Sequence, residues 1–74
     1  MGTAHCLVHR ELRDRLYVEP TLRGDIRIID DKLFDDDGLH ILTVLSDRLP
    51  SGRNGMRALC IRDGIAEFQD DWDT

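Results

Sequence analysis

Two apolar runs flank a polar turn between Met56 and Asp71, where the chain reads M-R-A-L-C-I-R-D-G-I-A-E-F-Q-D-D. Asp63-Gly64 in its middle is a strong hairpin signal, because a type I′ turn needs positive φ at both central residues and these two residues tolerate it. Counting outward from the turn pairs Arg62 with Ile65, Ile61 with Ala66, Cys60 with Glu67 and Leu59 with Phe68, and sets Arg57 opposite Asp70. Residues 57–69 therefore read as a C-terminal β-hairpin with Leu59, Ile61, Ala66 and Phe68 on one face.

Upstream, the periodicities compete. Ala4, Val8, Leu12 and Leu16 recur every four residues behind Thr3, which can serve as N-cap, and this spacing predicts a helix from about Ala4 to Leu16. The alternative is two short strands, at Cys6-Leu7-Val8 and Leu16-Tyr17-Val18. Glu19-Pro20 stops either element. Gly24 to Asp30 is rich in β-branched residues and predicts a strand with Ile26 and Ile28 toward the core. Asp30 to Gly38 reads as a loop in which Leu33 and Phe34 tuck under five carboxylates.

Leu39 to Leu49 supports two readings. On a helical wheel Ile41, Leu42, Val44, Leu45 and Leu49 share one side, Asp37 can cap the start, and Pro50 with Gly52 closes the end. The rival is a short strand apolar on both faces; the flanks favour the helix. Ser51 to Gly55 reads as a loop, with Asn54-Gly55 a second turn signal. The expected architecture is α+β: a small two-layer domain in which an antiparallel sheet of three or four strands, hairpin included, is packed by one or two helices.

Size changes what this fold must rely on. Seventy-four residues make one domain, and a chain this short buries only roughly 60% of its extended surface, so a disulfide, a metal or a partner subunit often supplies stability. The N-terminus has no cationic segment leading into an apolar run, and no stretch approaches a membrane span, so a soluble, cytoplasmic protein is expected. In that compartment Cys6 and Cys60 read as two packed thiols.

Charge adds the sharpest feature. The net charge is −5, distributed as +1 over residues 1–29, −4 over 30–37, +3 over 38–62 and −5 over 63–74. Direct binding to nucleic acid is disfavoured, because it depends on phosphate neutralisation by Lys and Arg. A cationic protein surface suits the chain better. Asp30, Asp31, Asp35, Asp36 and Asp37, with Glu67, Asp70, Asp71 and Asp73, are the candidate partner-binding carboxylates, and Phe34 and Trp72 the candidate apolar anchors.

Other chemistry is thin. His5, Cys6, His9 and Cys60 make a Cys2His2 set on paper, but their spacing matches no familiar zinc module. Asp35-Asp36-Asp37-Gly38 fails as a calcium loop, since aligning Gly38 puts Leu33 and Val44 where carboxylates are required. There is no phosphate-binding glycine loop, and none of the hydroxyl residues sits in a nucleophile elbow. The expectation is a cofactor-free, non-enzymatic protein-binding module. It would act as an inhibitor or adaptor of the phage or mobile-element type, engaging a cationic nucleic-acid-handling complex, with carboxylates standing in for phosphates. One alternative is a self-associating structural subunit that buries Leu42, Leu45 and Phe68 between copies; another is a metal or redox module built on His5, Cys6, His9 and Cys60.

Overall fold

The computed structural model describes residues 1–52 and 54–69. Among these the elements are β1 (Gly2–His9), α1 (Arg10–Val18), α2 (Pro20–Arg23), β2 (Arg27–Leu33), β3 (Leu39–Ser46), β4 (Asn54–Arg62) and β5 (Ile65–Gln69). The strands form one sheet in the order β2-β3-β1-β4-β5. β1 runs parallel to β4 and antiparallel to β3; the remaining pairs are antiparallel. The fold is thus α+β and two-layered, with a five-stranded mixed sheet in place of the expected three or four antiparallel strands.

One added strand comes from the N-terminus. Residues Gly2 to His9 form the central strand, and the helix starts only at Arg10. Ala4 and Val8 satisfy a four-residue repeat and a two-residue repeat equally well, since four is a multiple of two. Cys6 breaks the tie: it is buried with them, giving strict alternation along β1. Leu12 and Leu16 then belong to α1, whose first N–H, from Arg10, donates to the carbonyl of Gly38 at 2.8 Å. Pro20 opens the four-residue α2, and Gly24 ends it at φ 61 and ψ −122, a conformation essentially restricted to glycine.

Residues 39–49 are also a correction: Leu39–Ser46 is a strand. β3 lies between β1 and β2, so both of its edges are hydrogen-bonded. Its apolar residues divide between the covered face, with Leu42 and Val44 in the core, and the opposite face, where Leu39, Ile41 and Leu45 are partly exposed, so the helical wheel they fit is a coincidence of a short run. β2 likewise extends to Leu33, into the stretch read as loop, with a bulge between Ile28 and Asp30. Ile26 and Ile28 do reach the core. Leu33 and Phe34 do not tuck under; they are 58% and 56% exposed. Asn54-Gly55 opens β4 and forms no turn.

The hairpin has the register read from the sequence, from Arg62 opposite Ile65 to Leu59 opposite Phe68, and Asp63 and Gly64 take φ 54 and φ 79. The proposed Arg57–Asp70 pair lies outside the described residues. Both helices sit on one side of the sheet, where Leu16 and Leu22 join Ala4, Cys6, Val8, Leu42, Val44, Leu59 and Ala66 in the core. Replacing Gly64 with Val forces a β-branched residue to positive φ, and should lower unfolding stability by about 1 kcal/mol or more in a urea titration. An unchanged midpoint would contradict the turn geometry.

Candidate functional site

The acidic stretch at residues 30–37 runs along one margin of the sheet, and the structure divides its carboxylates by role. Asp30 pairs with Thr43 and shares the uncovered face, where its carboxylate lies 3.8 Å from Lys32. Asp31, one residue on, points to the covered face and is held by three partners. His40 Nδ1 lies 2.9 Å from Oδ1, the Tyr17 hydroxyl donates to Oδ2 at 3.3 Å, and Arg13 Nε is 3.5 Å from Oδ2.

His40 is itself buried, and its Nε2 lies 3.4 Å from Arg13 Nη2. Arginine can only donate and an ionised carboxylate can only accept, so the tautomer with hydrogen on Nδ1 satisfies both contacts. Both ring nitrogens are thereby committed inside the protein. The same carboxylate, together with burial, pushes the Tyr17 hydroxyl pKa upward, burial being the larger cause.

Asp35 is also used locally, accepting the backbone N–H groups of Asp37 at 3.0 Å and Leu39 at 3.2 Å to shape the turn between β2 and β3. Asp36 and Asp37 stay exposed beside Phe34. Glu67 lies in β5 at the opposite margin, about four strand spacings of ~4.8 Å away, and approaches Arg48 at 4.0 Å. The carboxylates of residues 30–37 therefore do not join Glu67 in one row. Asp70, Asp71, Trp72 and Asp73 lie outside the described residues.

A second polar cluster fastens the loop after β3. Ser46 donates to Asp25 Oδ2 at 3.0 Å, Arg48 Nε donates to Asp25 Oδ1 at 3.0 Å, and the guanidinium lies over the Phe68 ring at 5.0 Å. Its partners are all within the chain, so it ties the turn between α2 and β2 to the end of β3 and to β5.

The four metal candidates are split between faces. Cys6 is in the core on the covered side. His5 points the other way, with Nδ1 3.1 Å from the hydroxyl of Thr43, its cross-strand partner. Cys60 alternates onto that same uncovered face two residues beyond Ala58, the partner of Leu7. His9 ends β1 beside a surface depression shared with Arg10, Glu11, Asp14, Asp37 and Gly38. Among the described residues no cluster of His, Cys, Asp or Glu is arranged to hold a metal ion. No helix among them is long and apolar enough to cross a membrane.

Against models of protein families, curated proteins and solved structures, the chain finds no match. What the surface can do must then be argued from its own residues. Two surfaces stand out: the β2 margin, where Ile29, Leu33 and Phe34 are each more than half exposed, and the uncovered sheet face. The sequence held no direct sign of either the face or the His40 cluster. Both depend on the cross-strand register of β2 and β3, and the favoured helical reading of residues 39–49 concealed it.

Two outcomes follow. Asp31→Asn leaves Arg13 and His40 without their carboxylate and should cost about 1–3 kcal/mol in urea unfolding, whereas Asp30→Asn should stay within about 0.5 kcal/mol. Equal effects at the two sites would contradict the inward role of Asp31. Burial pushes the Cys6 thiol up from 9.0 to about 12, against the pull of Arg57, so the folded state favours the neutral thiol. Its contribution to stability is full below pH 9 and is lost as pH rises toward 12, by at most about 1.4 kcal/mol per pH unit. The melting temperature should therefore fall more steeply above pH 9 in the wild type than in Cys6→Ala. Parallel falls would contradict it.

Proposed function

We infer that the chain is a small acidic protein-binding module whose docking margin is β2 together with the turn that follows it. The observation that carries this reading is the exposure of Ile29, Leu33 and Phe34, at 53%, 58% and 56%, next to the carboxylates of Asp30, Asp36 and Asp37. An apolar side chain can anchor a contact, and unengaged carboxylates around it select a cationic partner. β2 is also an edge strand, so its outward backbone groups can accept an added strand from that partner.

A surface that handles nucleic acid is cationic, and an acidic competitor for it acts as an inhibitor or adaptor. A phage or mobile element directed against a host complex would employ such a protein. Asp31 and Asp35 fall out of the binding set, because their oxygens are used within the fold. Phosphate mimicry is accordingly the weaker part of the idea, and a compact acidic patch with one aromatic anchor the stronger.

The test is capture from lysate of the native source with two baits, wild type and Phe34→Ser/Asp36→Asn/Asp37→Asn. Proteins retained by the wild type should be lost or strongly depleted on the variant. They should also elute as salt rises and the screening length shrinks from about 8 Å toward about 3 Å. Identical capture by both baits at low salt would exclude this margin as the site.

A further inference from the structure

The sheet face turned away from the helices is uncharged at its centre. β1, β3 and β4 set Leu7, Ile41, Leu45, Met56 and Ala58 there, around His5 and Thr43. All of these keep partial exposure, while their neighbours on the covered side of β1 and β3 are buried. The helices contribute Leu16 and Leu22 to the other side only. We propose that this face docks onto the same face of a second copy of the chain, forming a symmetric dimer of two stacked sheets with the helices outward.

The area is limited: five strands at ~4.8 Å, averaging about seven residues at ~3.3 Å, give a face of roughly 550 Å² per copy. Because β5 is staggered past the end of β2, two copies bury less than twice this, at the low end for a specific interface. The polar groups at its centre are provided for in part, since His5 Nδ1 and the Thr43 hydroxyl hydrogen-bond to each other at 3.1 Å. Excluding water from them costs less than burying them unpaired.

Charge points to a second copy as the occupant. Although the chain carries −5, the charged residues that the register assigns to this face are Arg27, Asp30 and Lys32 on β2, Arg62 on β4 and Glu67 on β5, three cations against two carboxylates, so it is no site for a cationic partner. A two-fold axis along β1 lays β2 of each copy over β5 of the other. Lys32, level with Leu7 along the strands, then comes within two residues' length of Glu67 in the second copy, twice by symmetry. Like charges do not meet at the centre, because none is there.

This dimer does not rest on the β2-margin reading, and its variants leave Phe34, Asp36 and Asp37 untouched. Sedimentation velocity over roughly 1 to 200 µM compares the wild type with Leu45→Glu and with the milder Leu45→Thr, which keeps strand propensity if the charged variant fails to fold. The wild type should move from the 8.5 kDa chain mass to twice that mass. Folded variants, checked by far-UV circular dichroism, should need at least about tenfold more protein to dimerise, the effect of about 1.4 kcal/mol. A wild type that stays monomeric throughout overturns the proposal. So does a dimer unchanged in a folded Leu45 variant, or one abolished only by Ile29→Lys at the β2 margin, which would mean edge-to-edge pairing.

Discussion

β1 is hydrogen-bonded along both sides and buried on one face, and the other elements take their positions from it. Its covered side chains, Ala4, Cys6 and Val8, are small, which lets the helix residues Leu16 and Leu22 close directly on the sheet. β3 repeats the alternation with Leu42 and Val44, and β4 and β5 add Leu59 and Ala66. A nine-residue helix and a four-residue helix can cover one face of a five-stranded sheet and no more. The uncovered face is therefore a consequence of size.

Two linked sets of polar groups enter the covered layer. Asp31, His40, Arg13 and Tyr17 join the β2 margin to α1, and Asp25, Ser46 and Arg48 join the loop after β3 to the start of β2 and to β5. Most of their donors meet acceptors, as groups withdrawn from water tend to; the exception is Arg13 Nε, which is buried 3.5 Å from Asp31 Oδ2 without a hydrogen bond. Their effect on the surface is subtraction: carboxylates that look alike in sequence differ in whether they remain available to anything outside the chain.

The two proposed surfaces are geometrically independent. One is a margin with exposed apolar side chains and exposed carboxylates, the other a face whose polar centre holds the His5–Thr43 hydrogen bond. A face-to-face pair leaves the outward backbone of both β2 strands unpaired, so a dimer would present two acidic margins at once. Two linked contacts to a repetitive cationic partner would then reinforce each other through effective concentration, without any new contact within a copy.

The hairpin was legible residue by residue, because a two-residue turn sets its own register and Asp63-Gly64 permits few alternatives. The strand near Ile28 was legible in part, because near-alternation of β-branched residues is itself local; its bounds, Arg27–Leu33 in place of Gly24 to Asp30, were not, and Ile26 reaches the core from just before it. Residues 4–16 and 39–49 were ambiguous within the chain. Ala4 and Val8 fit two periods, and a short run apolar on both sides fits a helix stripe as well as a strand with a neighbour on either side. Only the pairing of β1 with β3 and β4 decided between them, since the hydrogen bonds that stabilise a central strand come from segments distant in sequence. The same holds for the carboxylates. Asp30 and Asp31 are adjacent and identical in type, and only the bulge that sets their register turns one to the open face and the other to His40. By itself the sequence determined a small acidic α+β chain with a C-terminal hairpin. Which groups remain at its surface to act was decided by long-range pairing, the one contribution that local pattern cannot encode.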